Sequence, residues 1–144
     1  MKAKDLRIGN YVYDDYKEVH KVEQVSSKDC KDWNKQPEVI LSKINGLKGF
    51  YQSNDVFPIP LTEEWLLKMG FLQDKVSYKI DNENFVFELY FYDAWNLNYV
   101  EKSNFGNGNV ELSGYWTIHQ LQNLYFALTG EELTLTETPC PEKE

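Results

Sequence analysis

At 144 residues, 42% hydrophobic and 15% aromatic, the chain can bury about two-thirds of its unfolded surface, which suits one domain or two very small ones without a covalent staple. Its formal charge of −8 is unevenly spread: residues 1–60 carry 10 Lys/Arg against 9 Asp/Glu, and residues 61–144 carry 5 against 14. So acidic a second half repels phosphate backbones and argues against nonspecific nucleic-acid binding, unless the near-neutral first half gathers its lysines on one face.

Residues 6–13 alternate on either side of Gly9-Asn10, a polar turn follows at Asp14–Lys17, and Val19–Val25 alternates again, so the chain opens as two strands of a small sheet. Ser26 to Gln36 is polar apart from Trp33 and reads as a surface loop. Glu38–Ile44 and Leu47–Tyr51 flank Asn45-Gly46, the dipeptide best suited to a two-residue hairpin turn. Pro58 and Pro60 then impose an extended connection.

Thr62 is a good N-cap, Glu63 and Glu64 complement the first-turn dipole, and Leu61 can staple onto Leu66, predicting a helix from Glu63 to Lys68 or Met69. Gly70 is placed as a left-handed terminator, with Phe71 folding back over the last turn. Val76–Ile80 and Phe85–Tyr92 surround a polar turn at residues 81–84. The second of these strands is apolar on both faces, Phe85, Phe87, Leu89 and Phe91 on one and Val86, Tyr90 and Tyr92 on the other, as in a strand covered on both sides. Asn98–Glu101 and Val110–Leu112 form a further hairpin through Asn107-Gly108.

A second helix starts at Thr117, which forms a capping box with Gln120; Trp116 can staple onto Leu121, and Ile118, Leu121, Leu124, Tyr125 and Leu128 share one face up to Gly130. Beyond Leu135 almost nothing is left to bury, so residues 136–144 are expected to be a disordered tail. The pattern is that of an α+β protein. A β-rich part at 1–60 and an α+β part at 61–135, with two short helices on an antiparallel sheet, are expected to pack as one body.

Cys30 and Cys140 lie in polar stretches without Cys-x-x-Cys spacing, and His20 and His119 have no His or Cys at helical distance, so no disulfide framework, metal site or cofactor is indicated. The first ten residues lack the apolar run of a signal peptide, and Phe85–Tyr92, interrupted by Glu88, is far shorter than the roughly 20 residues of a membrane span. A cytoplasmic location away from membranes is expected.

The segments LRIGN, IPLTEEWLLKMGF at 59–71 and IHQLQNLYFALTGEEL at 118–133 resemble a family of small uncharacterised proteins of Bacteroides-type gut bacteria and their phages and prophages. The resemblance implies a phage or mobile-element setting and carries over no activity or site residue. The first 25 residues also resemble the opening of an SH3-like barrel, where a Leu-x-x-Gly-Asn-x-Val turn starts a strand pair, although fold does not imply function.

Catalytic candidates are few. Glu88, set among Phe87, Leu89 and Tyr90, fits a cross-strand pair or a solvent-facing position better than an acid or base. His119 follows a helix cap and His20 reads as an ordinary strand residue. The serines lack a Gly-x-Ser-x-Gly setting, and the glycines of residues 104–109 lack the Lys and helix start of a phosphate cradle. Aromatic crowding in the second half, at Tyr90, Tyr92, Trp95, Tyr99, Tyr115 and Trp116, is the unusual feature. It points to a noncatalytic protein-interaction module with a surface around Tyr92, Trp95 and Tyr99. The alternatives are an acidic nucleic-acid mimic using Glu63, Glu64, Asp74, Glu131 and Glu132, a nucleic-acid-binding barrel using Lys2, Lys4, Arg7, Lys17 and Lys21 with Tyr11 or Tyr13, and an enzyme with a pocket around Glu88 or His119.

Overall fold

The computed structural model describes residues 5–25, 38–43, 48–52, 56–102 and 109–136. Among them, β1 (Tyr11–Tyr13), β2 (Val19–Val25), β3 (Glu38–Lys43) and β4 (Lys48–Gln52) form one antiparallel sheet in sequence order. A second antiparallel sheet, also in sequence order, contains β5 (Leu72–Asp74), β6 (Ser77–Asp81), β7 (Phe85–Tyr92), β8 (Ala94–Glu101) and β9 (Asn109–Gly114). With α1 (Glu63–Lys68) and α2 (Ile118–Thr129) the fold is α+β. The chain divides into two units, Met1–Pro60 with Thr117–Leu124, and Leu61–Trp116 with Tyr125–Glu144.

In the first unit the Leu-Arg-Ile-Gly-Asn segment is a turn rather than strand. The Asn10 N–H donates to the Arg7 carbonyl at 3.1 Å, and Gly9 adopts φ +94°, a backbone state that residues with a side chain seldom tolerate. Strand β1 is therefore only three residues long, although Tyr13 and Phe57 add a mutual backbone bridge along its free edge. Leu6, Val12, Val22 and Val56 form the small core beside this sheet. The four strands are not closed into a barrel, so the SH3-like expectation has no support here.

The β3–β4 hairpin forms, but Ser42 faces Lys48, one residue away from the register that a two-residue turn at Asn45-Gly46 would impose. The connecting residues 44–47, the loop at 26–37, the expected turn at Asn107-Gly108 and tail residues 137–144 lie outside the described set. Thr136, assigned to that tail from sequence, is held by two hydrogen bonds to the Lys68 carbonyl, from its N–H at 2.8 Å and its hydroxyl at 2.9 Å.

In the second unit α1 is built as its caps require. The Thr62 hydroxyl accepts from Trp65 N–H, Gly70 turns at φ +90°, and the N–H groups of Gly70 and Phe71 donate to the carbonyls of Leu67 and Leu66, closing a Schellman motif. Phe71 is thereby buried. The packed face of the five-stranded sheet carries Tyr78, Phe85, Phe87, Leu89, Trp95, Leu97 and Tyr99. Tyr125 of α2 lies edge-on to Phe87 at 5.0 Å and to Phe85 at 5.8 Å. Burial pushes the Tyr125 phenol up to about 12, with the charge of Glu131 adding to the effect.

Candidate functional site

Among the described residues, two of the places where polar side chains meet are built by strand register. In the first unit β1 and β2 pair with Val12 opposite His20, which brings Asp14, just beyond β1, against the imidazole. Asp14 Oδ2 lies 2.7 Å from His20 Nε2, and both side chains are buried. Asp14 Oδ1 accepts from the N–H groups of Tyr16 and Glu18 at 2.8 and 3.0 Å, so one carboxylate organises the whole turn. Burial alone would raise the Asp14 carboxyl, but the His20 contact, these two N–H donors and the attraction of His20 outweigh it and hold it below its ordinary 3.8.

Asp14, Glu18 and His20 each present a donor atom, all within 4.8 Å of one another. This is the trio that could hold a divalent cation, but the bonds already made by Asp14 explain its placement as a fastening of the β1–β2 turn. His20 was expected to be an ordinary strand residue; its pairing with Asp14 depends on a turn geometry that six residues of sequence do not disclose.

His119 is buried at the start of α2, where Gln120 Oε1 accepts from Thr117 N–H at 3.0 Å, one half of the expected capping box. The Thr117 hydroxyl lies 2.9 Å from His119 Nδ1. Burial lowers the imidazole below its ordinary 6.5, against the pull of Asp5, so the ring is neutral and can accept from that hydroxyl. Three residues on, Gln122 reaches the Leu-Arg-Ile-Gly-Asn turn: its Oε1 accepts from Tyr11 N–H at 2.8 Å, and its Nε2 donates to the Gly9 carbonyl at 2.9 Å. Asn10, Arg7 and Asn123 extend this network.

The second place is the unpacked face of the five-stranded sheet. Pairing lines up Ser77, Tyr90, Asn96 and Ser113 across four strands, and Lys79, Glu88, Asn98 and Glu111 on the next row. These rows bound a groove of about 310 Å³ lined by Glu88, Tyr90, Asn96, Asn98, Glu111 and Ser113. Ser113 donates to Asn96 Oδ1 at 2.7 Å, and Asn96 Nδ2 donates to the Ala94 carbonyl at 3.0 Å, which fixes the upper row. Beyond it Tyr92 is 76% exposed, and Tyr115, equally exposed, donates its hydroxyl to the Asp93 carbonyl.

The surface expected around Tyr92, Trp95 and Tyr99 is corrected by this geometry. Strand β8 begins at Ala94, so Trp95 and Tyr99 alternate onto the packed face, each 7% exposed, with the Tyr99 hydroxyl donating to the Leu128 carbonyl and Phe91 edge-on to Trp95. Only Tyr92 faces outward. Strand β7 is likewise not covered on both sides, since Val86 and Glu88 are half-buried and Tyr90 is 39% exposed. Glu88 sits on this open face, where Ser77 Oγ donates to it at a long 3.4 Å. Asn96, Asn98, Glu111 and Ser113 were missed, although the alternation Trp95-Asn96-Leu97-Asn98-Tyr99 carries the period-two signal that would have found two of them.

The carboxylates required for a phosphate-mimicking stripe are largely engaged. Glu64 pairs with Lys68 at 2.7 Å, Asp74 pairs with Lys79 at 3.1 Å, and Glu63 bonds the Tyr78 hydroxyl. For a nucleic-acid face, Lys2 and Lys4 lie outside the described residues, Tyr11 is buried, and Arg7 donates to Asn123. No helix among the described residues is long and apolar enough to cross a membrane. No protein-family model, curated protein or solved structure matches the chain.

Proposed function

We propose that this chain is a noncatalytic protein-interaction module from a phage or mobile-element setting, and that its contact surface is the open face of the five-stranded sheet near the β7–β8 turn. The observation that carries the reading is the exposure of Tyr90, Tyr92 and Tyr115 around polar groups already fastened to one another. Tyrosines offer large contact area at low conformational cost, and a prefixed polar floor limits the entropy lost on docking. The phage or mobile-element part rests on the three sequence segments alone.

A photo-crosslinking residue at position 92 tests this in lysate of the native host, with the same residue at Leu67, an exposed position on α1, as the control. A partner captured from position 92 only should bind the purified protein, and Tyr90→Ala with Tyr92→Ala should weaken it at least about tenfold, as truncation of interface tyrosines does. Equal capture from both positions, or an affinity indifferent to the tyrosines, refutes the surface.

A further inference from the structure

We infer that the groove on the open sheet face takes an arginine-bearing extended segment of the partner protein, an inference that rests on the interaction-module reading. Glu88 and Glu111 flank Asn98 on a single cross-strand row. Strands lie about 4.8 Å apart, so the backbones bearing the two carboxylates are roughly 10 Å apart. That spacing leaves room above Asn98 for a planar group that donates in several directions, as a guanidinium does with its five N–H donors.

Charge favours the same occupant. Residues 61–144 carry 14 Asp/Glu against 5 Lys/Arg, and Lys68, Lys79 and Lys102 are committed to Glu64, Asp74 and Asp81. Lys79 stands at the end of the row beside Glu88, but its ammonium is turned to Asp74. Glu88 and Glu111 have no ion-pair partner among the described residues. Between them stands the uncharged Asn98. Tyr90, one row away, also lines the groove. An extended segment matches a groove that runs across strands and a surface already rich in tyrosine.

The probe is a fluorescent peptide of alternating arginine and threonine, titrated at low and physiological salt, with a citrulline-for-arginine peptide and spermidine as comparisons. Wild type should bind the arginine peptide with amide chemical-shift changes centred on Glu88, Asn98 and Glu111, and at least tenfold more tightly than the citrulline peptide. Glu88→Gln with Glu111→Gln, isosteric changes that leave the fold intact by circular dichroism, should lose tenfold or more. Undiminished binding by that double variant, shifts centred elsewhere, no binding at low salt, or spermidine competing as well as the peptide would each overturn the inference. A partner crosslinked from position 92 whose affinity ignores the double variant would sink this inference while leaving the interaction module standing.

Discussion

Replacing Gln122 with alanine removes the side chain that joins the start of α2 to the turn before β1. Gln122 is 1% exposed and serves two backbone groups directly, accepting from Tyr11 N–H and donating to the Gly9 carbonyl. Asn10 loses little, because its amide also donates to Asn123 Oδ1 at 3.0 Å. The orphaned Tyr11 N–H, buried, and the Gly9 carbonyl, half-buried, cost about 1–3 kcal/mol each, and water reaching the Gly9 carbonyl brings the expected total to about 2–4 kcal/mol. For a chain of this size each kcal/mol lowers the midpoint by about 2–4 °C, so Gln122→Ala should melt about 4–16 °C lower. Thermal and urea unfolding followed by circular dichroism supplies the number, and hydrogen exchange supplies its location, since the Tyr11 amide should lose protection. Gln122→Glu sharpens the test. Its carboxylate keeps an acceptor for Tyr11 but turns a second one on the Gly9 carbonyl, so its deficit should shrink in acid, where a protonated carboxyl can donate. A Gln122→Ala variant within about 0.5 kcal/mol of wild type, the ordinary range for a surface change, with Tyr11 still protected, would refute the reasoning.

Two further predictions concern stability. The folded state holds His119 below 6.5, so the unfolded chain takes up that proton first, and stability should fall as pH drops from about 7 through this region; His119→Gln should flatten that limb of the profile. Asp14 is held below 3.8, so its contribution is present above that pH and is lost only as pH falls through the lower folded value; Asp14→Asn should remove that second, more acidic limb, and a profile lacking both limbs would contradict the two assignments. Gly114→Ala places a methyl 2.8 Å from Trp116 Nε1, so the indole must move, with a cost of about 1–3 kcal/mol and altered tryptophan fluorescence; a substitution silent in both would show that the ring is not confined there.

Both helices were legible because their ends carry chemistry that local sequence shows: Thr62 and Gly70 bound α1, and Thr117, Gln120 and Gly130 bound α2. The packed face of β7 was legible for a similar reason, since Phe85, Phe87 and Leu89 recur at every second residue. Its other face was misjudged because valine and tyrosine there look the same whether a layer covers them or a partner does. The β7–β8 turn escaped notice because Asp93, at φ +60°, makes it without the Asn-Gly or Pro that marks most turns, and missing it put Trp95 and Tyr99 on the wrong side of the sheet. Lys17 and Lys75 take the same left-handed state in two other turns. The Gln122 network and the Asp14–His20 pair were out of reach for another reason: each depends on which residues meet across a fold, and neither leaves a periodic trace.

Because the first unit takes Thr117–Leu124 as well as Met1–Pro60, its parts are not contiguous in the chain. On a ribosome adding about 5–20 residues per second, the opening turn and sheet wait roughly 3–13 s for Gln122 to be made, with the Tyr11 N–H and Gly9 carbonyl unserved by it meanwhile. The whole second sheet is synthesised during that interval, so the first unit, begun before that sheet, is completed only after it. A nascent chain stalled between β4 and α2 therefore exposes an unfinished amino-terminal half, a natural target for chaperones and proteases.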